Sequence, residues 1–581
     1  MRSVVFCLLF ASALLADEPP AIGERVERFT FTDARYLPCS LDDLGQPPAA
    51  VLVFATRSCP IAKRSLPKLE RLAQRYAEQG VRFALVDVTP DPDVNAMAAF
   101  VLERGLSFPA FKDSYGECVR ALGITRSPEV AVVDAEGVLR YRGRIDDQQR
   151  LGGARAEPRR HDLVEALDEL LAKQPVSVPE TPVDGCKLTA PVDPEPAQPP
   201  TFSEQISPLL QRHCQDCHRA GGSAPFALVS YDDARDVGDM LAEVVTQGRM
   251  PPWFAAEGRE QFLNHRGMTR AERETLAAWV AADMPRGDPA LDPKPREFPQ
   301  GEWAIGEPDL VLKTPGTIKV MADGSMPYQY VMLPHRFAEE TWVERIEIQG
   351  ANPEVLHHCN LFFMRPGKPF DSSQVISGKV PGGPPLVLGL GVAVRIPKDA
   401  MLGLQIHYQP NGEELQDSVR VAFRYPRGRI LKEFRSKLIE RRDFKIPAGA
   451  GNHRVEASAT FEHDVIATAL FGHMHLRGKA FTFDLHLPDA EPERLLTVPN
   501  YSFDWQMAYV FAQPRRLPKG TRIENVTWYD NSSLNAFNPD PTRAVGWGLQ
   551  SHHEMLYHFV FYVREHEALN LEVDPKTGVV R

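Results

Sequence analysis

The sequence predicts a chain of several domains, in which an α/β block comes first, a small helical block second and a strand-rich block last. The chain has 581 residues, which at roughly 150 residues per domain corresponds to about four domains. Two proline-rich stretches, residues 174–200 and 288–300, are expected to be extended connectors between the three blocks. The hydrophobic pattern changes from block to block, which favours a different fold class for each.

The composition excludes several classes of protein. Hydrophobic residues make up 43% and charged residues 25% of the chain, close to ordinary globular usage, so neither a disordered chain nor a multi-span membrane protein is expected. The net charge is −11 and no basic run is present, so no nucleic-acid partner is expected.

The N-terminus has the pattern of a secretory signal. An apolar stretch from Val4 to Leu15 follows Arg2 and is too short to span a bilayer. We expect cleavage after a signal peptide of residues 1–16. No later segment is apolar and long enough to be an anchor, so the mature protein is expected to be periplasmic or secreted, without a membrane span.

The first block, residues 21–173, has the pattern of an α/β domain. Short apolar runs typical of buried strands alternate with segments of helical periodicity. The apolar runs are Val51–Phe54, Arg82–Val88 and Val130–Asp134, and the helical segments are Leu66–Gln79 and Asp162–Leu171.

The second block, residues 201–287, is mostly helical, and the third, residues 301–565, is rich in strands. Thr269 and Glu272 form a capping box before a helix that carries Leu276 and Trp279 on one side. In Ala480–Leu487, by contrast, apolar and polar residues alternate with the period of a half-buried strand. Residues 566–581 are interpreted as a tail.

The second block contains a motif for covalent haem attachment. Cys214, Cys217 and His218 form C-x-x-C-H, in which two thiols can add to the vinyl groups of one haem while the imidazole reaches the iron. Met250 is the candidate for the second axial ligand, with Met240 and Met268 as rivals. The block resembles the small cytochrome c domains of bacterial multi-domain redox proteins, which implies one haem c.

The first block contains a candidate reactive thiol. Cys59 follows the first apolar strand and precedes a helix, a position that lowers the pKa of a thiol. With Ser127-Pro128 before a later strand, the block resembles the thioredoxin-like redoxin group. It departs from the thioredoxin motif C-x-x-C because Ala62 stands at the second cysteine position.

The partner and the role of Cys59 stay open from the sequence. A resolving thiol must come from Cys39, Cys118 or Cys186. The Thr56-x-x-Cys59 spacing is similar to the peroxidatic site of peroxiredoxins, although the proline usually found upstream of the Thr is missing. The alternative is a thiol that merely packs in the core or is permanently paired.

The third block carries a series of histidines and methionines suited to metal binding. Its members are His357, His358, His407, His473, His475 and Met555. Residues i and i+2 of a strand share a face, so His473 and His475 can bind one ion directly. Adjacent His357 and His358 can share an ion only at a strand end or a bulge. A thioether ligand favours copper over structural zinc.

The ordered series resembles the ascorbate-dependent type II copper monooxygenases, the family of peptidylglycine α-hydroxylating monooxygenase and dopamine β-monooxygenase. The resemblance implies two tandem jelly-roll sandwiches, residues 301–435 and 436–565. It also implies two copper ions, one held by His357, His358 and His407 and one by His473, His475 and Met555. His552 and His553 are rivals for the last ligand, and the role of the single cysteine of this block, Cys359, is open.

The substrate of the peptide-hydroxylating members is not implied. The positions that hold a peptide carboxylate in those members are Phe471, Tyr557 and Phe559 here, so we expect a small apolar or aromatic substrate together with O₂.

The resulting hypothesis is an exported copper monooxygenase that hydroxylates a C–H bond. Its electrons would come through the fused haem, with the redoxin domain and ascorbate or another external donor as further sources. Because the two ligand sets belong to different sandwiches, the coppers are expected to bind independently. The alternatives are a non-catalytic copper-binding or redox-sensing protein, and a thiol peroxidase or oxidoreductase acting through Cys59.

Overall fold

A computed structural model describes residues 20–150, 152–188, 198–298, 301–324, 326–364 and 375–581. The predicted signal peptide, residues 1–16, lies outside the described residues. Contacts divide the chain into two compact units, one with residues 20–92 and 104–188 and one with residues 93–103 and 198–581 among those described. No helix within these ranges is long and apolar enough to cross a membrane.

The first unit is built on one mixed sheet. The strands of this unit, including those outside the main sheet, are β1 (Phe31–Thr32), β2 (Pro38–Cys39), β3 (Ala49–Ala55), β4 (Arg82–Asp87), β5 (Ala110–Lys112), β6 (Arg126–Ser127), β7 (Glu129–Asp134), β8 (Leu139–Gly143), β9 (Gln149–Arg150), β10 (Gly153–Ala154) and β11 (Cys186–Lys187). The helices of this stretch are α1 (Pro60–Tyr76), α2 (Val94–Glu103), α3 (Glu117–Leu122) and α4 (Asp162–Leu171). The sheet order is β2-β1-β5-β4-β3-β7-β8, with β3, β4 and β5 parallel.

This sheet confirms the predicted α/β domain. Every residue of β3 is buried, as expected for a central strand covered on both faces. The predicted helix Asp162–Leu171 coincides with α4, and the predicted helix 66–79 overlaps α1. One difference is that α2, inside the predicted domain 21–173, groups with the second unit.

Part of the predicted connector 174–200 is not a free connector, because it pairs with strands of the first unit. Pro179 accepts a backbone hydrogen bond from Arg142, and β11 pairs antiparallel with β6, so this end of the stretch belongs to the first unit. A proline-rich segment is already extended, and an extended segment can satisfy the open backbone groups of a sheet edge. Residues 189–197 lie outside the described residues.

The helical part of the second unit contains α5 (Ser207–His213), α6 (Tyr231–Asp236), α7 (Gly238–Thr246) and α8 (Arg270–Ala281). The predicted capping box is confirmed: Thr269 Oγ1 accepts from the Glu272 backbone N–H, and Glu272 accepts from that of Thr269. Leu276 and Trp279 are fully buried in the core of this part.

The strand-rich part begins with β12 (Leu310–Lys313), β13 (Ile318–Val320), β14 (Gln329–Arg336), β15 (Thr341–Val343), β16 (Arg345–Gly350), β17 (Leu356–Met364), β18 (Val375–Lys379), β19 (Leu386–Val387), β20 (Val392–Ile396), β21 (Met401–Tyr408), β22 (Leu415–Asp417), β23 (Val419–Arg424) and β24 (Lys432–Glu433). Two four-stranded antiparallel sheets, β12-β23-β16-β19 and β14-β21-β17-β18, share one apolar core. This arrangement is consistent with the first predicted sandwich.

The second half contains β25 (Arg435–Arg441), β26 (Lys445–Ile446), β27 (His453–Thr460), β28 (Val465–His473), β29 (Gly478–His486), β30 (Glu493–Val498), β31 (Ala508–Leu517), β32 (Arg522–Tyr529), β33 (Val545–Gly546) and β34 (Leu556–Arg564). Its two four-stranded antiparallel sheets are β25-β34-β28-β31 and β27-β32-β29-β30. They are consistent with the second predicted sandwich.

The tail, residues 566–581, returns to the first sandwich. Leu571 bridges Ile430, and Val579 bridges Thr341. Val573 packs in a small apolar cluster with Trp342. The tail therefore closes the first sandwich, a contact that its own weak hydrophobic pattern does not indicate.

We expect Trp342→Ala to lower the free energy of unfolding by about 3–5 kcal/mol, the usual cost of truncating a buried Trp. Trp342 is 2% exposed and contacts the tail strand segment. Circular dichroism during urea denaturation measures the change. Leu390→Ala, at a fully exposed position, is the matched control, and equal stability of the two variants would contradict the packing described.

Candidate functional site

The loop after β3 places Cys59 at the N-terminus of α1. Cys59 is the N-cap residue, and its Sγ accepts from the Ala62 backbone N–H at 3.5 Å. The Thr56 backbone N–H donates to Ser127 Oγ at 2.8 Å, which ties this loop to the Ser127-Pro128 segment, where the peptide bond is cis. Cys59 is only 2% exposed.

Cys186 is the thiol that meets Cys59. The two Sγ atoms lie 2.7 Å apart, in hydrogen-bond contact. The pairing of β11 with β6 holds Cys186 there, because Cys186 lies opposite Ser127 in the register. The thiol that contacts Cys59 therefore lies in the stretch 174–200, which the sequence predicted to be a connector.

The other two candidate partners lie elsewhere. Cys39 is in β2, four strands from β3 in the sheet, which is about 19 Å at about 4.8 Å per strand. Cys118 is fully buried in α3 and donates to the Thr30 carbonyl. A disulfide needs Cα atoms within about 7 Å of each other, so Cys39 cannot reach Cys59 without a large rearrangement.

The environment makes the two thiols of the pair unequal. Burial favours a raised pKa for Cys59, but hydrogen bonds from Cys186 and the Ala62 N–H outweigh it and hold its pKa below the ordinary value. Burial and the hydrogen bond with Cys59 raise the pKa of Cys186 to about 11. Of the two thiols, Cys59 is therefore the one that loses its proton more readily.

A buried charge cluster supports this loop. Lys112 is fully buried and lies 3.5 Å from Asp87, which also pairs with Arg57 at 3.1 Å. Burial lowers the pKa of Lys112. The sequence analysis missed these residues; the one signal was the position of Asp87 at the carboxyl end of a predicted strand.

The C-x-x-C-H motif follows α5 as a turn of backbone hydrogen bonds, with the amide of His218 donating to the Cys214 carbonyl. His218 Nδ1 lies 3.1 Å from the Phe226 carbonyl. A carbonyl can only accept, so Nδ1 carries the proton and Nε2 is left free to act as a ligand. Burial lowers the pKa of His218 and raises that of Cys214 to about 12.

The three candidate methionines occupy different environments. Met268 is buried in the apolar core of the helical part, whereas Met240 is 44% exposed. Met250 follows α7 and is half-buried, and its backbone N–H donates to the carbonyl of Val244 in that helix. Met250 is thus neither a core residue nor a surface residue.

The first histidine set converges in the structure. One side-chain nitrogen from each of His357, His358 and His407 lies within 4.8 Å of the other two. The Nδ1 atoms of His357 and His358 are 3.1 Å apart, and two ligands about 2.0–2.1 Å from one ion stand about 2.9–3.4 Å apart. His407 Nδ1 is buried without a hydrogen-bond partner, whereas His357 Nε2 lies 3.4 Å from an Asp504 carboxylate oxygen. The Nδ1 atoms of the adjacent pair together with His407 therefore form a donor set that fits a metal ion.

A bulge allows the adjacent pair to act together. The register of β17 against β21 shifts between Leu356 and His358, and His358 then lies opposite His407. The sequence predicted that the pair could share an ion only at such an irregularity. Burial and the neighbouring histidines hold the pKa of His358 well below its ordinary value and lower that of His407 to about 3.

The second histidine set is oriented through Nδ1. His473 ends β28, and its Nδ1 lies 2.6 Å from Gln506 Oε1. His475 follows in a turn, with Nδ1 3.3 Å from the His553 carbonyl. Both acceptors leave Nε2 of each ring available to an ion. Burial lowers the pKa of His473 to about 4 and holds that of His475 well below its ordinary value.

The two sets form one cluster around Phe503. Its ring centroid lies 5.4–6.5 Å from those of the five histidines, His357, His358, His407, His473 and His475. The rings of His358 and His473 are 6.2 Å apart. Both sandwiches thus present their histidines to a shared space.

Glu554 links His475 with Met555. Its carboxylate accepts from the backbone N–H groups of His475 and Met555 at 3.0 and 3.3 Å, and from that of Arg477 at 2.7 Å. Burial raises the pKa of Glu554 to about 7. Met555 is 4% exposed. His552 and His553 are the predicted rivals of Met555 as a ligand. His552 is exposed, and its ring packs on that of His553.

An aromatic surface adjoins the second set. Tyr557 lies opposite His473 in the register, with ring centroids 6.0 Å apart, and packs on Phe559 at 4.7 Å. Phe559 contacts Phe471 at 6.3 Å. Together with Met555 these three residues form an apolar cluster separate from the main cores.

The helical part is fastened directly to the second sandwich. Leu263 and Gln261 exchange backbone hydrogen bonds with Val510 and Ala512 of β31, each 2.8 Å long. Nearby, the ring of Trp253 lies 5.2 Å from that of Tyr509. Gln506, the partner of His473, lies two residues before β31. The helical part that carries C-x-x-C-H is therefore hydrogen-bonded to the second sandwich in addition to being connected through the chain.

Comparison with known proteins identifies the first part of the chain. The family model "Redoxin" matches residues 21–157. The thiol-disulfide oxidoreductase ResA of Halalkalibacterium halodurans is 30% identical over 138 residues, which are 24% of this chain and 77% of that protein.

Solved structures also match a part of the chain. A hypothetical protein from Sinorhizobium meliloti 1021 is 25% identical with a TM-score of 0.28, covering 30% of this chain and 98% of its own. The thioredoxin domain of a thiol-disulfide oxidoreductase from Bacteroides vulgatus is 16% identical with a TM-score of 0.21, covering 26% of this chain and 99% of its own.

Proposed function

Because the chain belongs to the redoxin family through residues 21–157, we propose that its first unit is a thiol–disulfide oxidoreductase with Cys59 as nucleophile and Cys186 as resolving thiol. The observation that carries the proposal is the 2.7 Å contact between the two Sγ atoms. The lowered pKa of Cys59 and the raised pKa of Cys186 agree with these roles.

The reaction is a two-step exchange. The Cys59 thiolate attacks one sulfur of a substrate disulfide, and the other sulfur leaves as a thiol after taking a proton. Cys186 then loses its proton and attacks Cys59 Sγ, which forms the Cys59–Cys186 disulfide and releases the second substrate thiol. Two electrons pass to the substrate, and an external dithiol reductant restores the pair.

Disulfide mapping tests the pairing. Mild oxidation of the purified chain, followed by proteolysis without reductant and mass spectrometry, is expected to yield a peptide pair that joins Cys59 to Cys186. A Cys59 disulfide with Cys39 or Cys118 would overturn the assignment.

As a second function we propose a copper monooxygenase site in the sandwiches. The observation that favours it is the set of five histidine rings around Phe503, four of which are buried while His407 is partly buried. His357, His358 and His407 would hold one copper, and His473, His475 and Met555 the other. Thioether ligation supports copper rather than zinc. When bound, copper would supply one-electron redox chemistry and activate O₂ for insertion of one oxygen atom into a C–H bond.

The chain's own residues orient the ligands and exclude water. Gln506 and the His553 carbonyl fix the ring orientations of His473 and His475, and Phe503 fills the space among the five rings. Tyr557, Phe559 and Phe471 offer an apolar wall beside Met555, which supports a small apolar or aromatic substrate. Substrate-dependent O₂ consumption by the copper-loaded chain tests this function, since a copper-binding protein without catalysis would take up the metal and consume no O₂.

The fused haem would serve as a one-electron carrier from an external donor, and the interface with β31 supports this role. The C-x-x-C-H motif and the apolar N-terminal stretch support a periplasmic or secreted location. His218, through Nε2, and the half-buried Met250 would be the protein ligands of the haem iron.

We expect one haem per chain, lost or greatly reduced in Cys217→Ala because one of the two thioether links can no longer form. Met250→Ala should retain the haem but change the iron ligation, since sulfur is removed. A pyridine haemochrome spectrum measures the first effect and the absorbance band of Met–iron ligation the second. Met240→Ala, at an exposed position, is the control. An unchanged ligation spectrum in Met250→Ala would refute the axial assignment.

A further inference from the structure

The segment that carries Cys186 lies along β6 as a bound peptide would. Lys187 lies opposite Arg126 and Cys186 opposite Ser127. The Leu188 N–H donates to the Thr125 carbonyl at 2.9 Å, and Arg126 Nη1 donates to the Gly185 carbonyl at 2.8 Å. The segment thus covers both the reactive thiol and the strand edge beside it.

Most of these contacts do not depend on the sequence of the segment. Main-chain hydrogen bonds along an open edge accept any extended peptide, so selectivity must come from positions where side chains meet the edge. Cys186 is one such position, because its sulfur has to meet Cys59.

Gly185 is the second selective position. A Cβ atom at Gly185 would lie 2.6 Å from the Ser127 carbonyl oxygen and 3.0 Å from the Ser127 carbonyl carbon. Both atoms belong to the backbone, which cannot turn aside as a side chain can. Only glycine fits before the cysteine unless the whole segment moves away from β6.

We propose that residues 184–188 occupy the site at which this redoxin domain binds its protein partner, and that the partner is an extended segment with a Gly-Cys pair whose cysteine is in a disulfide. The inference rests on the proposed thiol–disulfide exchange and adds the class of substrate. The partner takes the place of residues 184–188 along β6, with its cysteine sulfur in the position of Cys186 Sγ.

The exchange then follows from this placement. The Cys59 thiolate attacks the partner's cysteine sulfur, the leaving sulfur takes a proton, and a mixed disulfide joins the partner to Cys59. The partner segment then leaves β6 while its sulfur stays bonded to Cys59, and residues 184–188 return to the strand edge. Cys186 loses its proton and attacks Cys59 Sγ on the side opposite the partner's sulfur, which takes a proton and leaves as a thiol. The two electrons given to the partner come from the Cys59 and Cys186 thiols, which an external dithiol restores.

Two peptides test the proposal on the full-length chain. The probes are Val-Asp-Gly-Cys-Lys-Leu, which copies residues 183–188, and Val-Asp-Ala-Cys-Lys-Leu, each with its cysteine as a mixed disulfide with thionitrobenzoate. Cys186→Ser stops the reaction at the mixed disulfide, and release of thionitrobenzoate gives the rate. We expect the glycine peptide to react on the order of tenfold faster than the alanine peptide.

A second variant tests the displacement. Gly185→Ala, combined with Cys186→Ser, should loosen the resident segment and speed the reaction of both peptides. Cys59→Ser combined with Cys186→Ser measures the background from other thiols. Equal rates for the two peptides, or no acceleration in Gly185→Ala, would overturn the inference.

Glutathione disulfide separates this inference from the function on which it rests. If Cys59 reacts with glutathione disulfide but does not distinguish the peptides, the partner class is wrong and the exchange function stands. If Cys59 reacts with neither glutathione disulfide nor the peptides, the exchange function itself fails.

Discussion

We expect Cys59→Ser to reduce the rate of thiol–disulfide exchange by on the order of 10³-fold or more, because a serine hydroxyl is almost wholly protonated at neutral pH and cannot replace a thiolate. Reduction of a protein disulfide by the purified chain, with a dithiol as the electron source, measures the effect. Cys39→Ser is the matched control, since Cys39 lies four strands from β3 and should leave the rate unchanged.

The same pair predicts a pH dependence. Burial raises the pKa of Cys59, and the hydrogen bond from Cys186 is the largest of the effects that lower it. Cys186→Ala removes this bond, so the pKa of Cys59 should rise and its thiolate fraction should fall, most strongly at pH values between the wild-type pKa and the raised one. The rate of Cys59 alkylation by iodoacetamide should then have its inflection at higher pH than in the wild type. An unchanged inflection would contradict the coupling.

Peroxide consumption distinguishes the thiol peroxidase alternative with the same proteins. A Cys59-dependent loss of peroxide that exceeds protein-disulfide reduction would favour peroxidase chemistry. Preference for a protein disulfide supports the oxidoreductase proposal, in which Cys186 lies ready to resolve the mixed disulfide.

The second large effect concerns copper. His358→Ala should lower copper affinity at the first histidine set by at least ~100-fold, because one of three ligands is lost from a buried set. The ring of His358 also lies 6.2 Å from that of His473, so we expect the spectrum of copper at the second set to change as well. Equilibrium dialysis with metal analysis and electron paramagnetic resonance of the Cu(II) protein measure the two effects.

Two comparisons sharpen the copper test. His463→Ala changes an exposed histidine of the second sandwich and should leave copper content and spectrum as in the wild type. Met555→Ala should weaken Cu(I) binding more than Cu(II) binding, since a thioether is a soft ligand. Undiminished copper in His358→Ala, or zinc bound in preference to copper, would contradict the proposed ligand set.

Local chemistry was predictable from the sequence because it depends on residues close together in the chain. The C-x-x-C-H spacing of Cys214, Cys217 and His218, the placement of Cys59 before a helix and the capping box at Thr269 each require only a few consecutive residues. The α/β pattern of the first block likewise follows from strand and helix periods, and the structure confirms it.

Long-range pairings were not predictable in the same way. Cys186 lies 127 positions from Cys59, in a stretch whose proline content indicated only an extended conformation. Which edge such a segment joins depends on the backbone groups that the folded sheet leaves open. Phe503 and Gln506 lie in a loop without any hydrophobic period, so no local pattern marked them as neighbours of the histidines.

The sequence by itself determined the redoxin domain, the kinds of side chain available for redox and metal chemistry, and the order of the blocks, because residue type and spacing are properties of the chain. Only the tertiary structure decided that Cys186 rather than Cys39 or Cys118 meets Cys59, and that the histidines of two sandwiches surround one phenylalanine ring. Those outcomes depend on how sheets pair at their edges and pack on each other. That packing is set by many weak contacts distributed over the whole unit, and no short segment contains it.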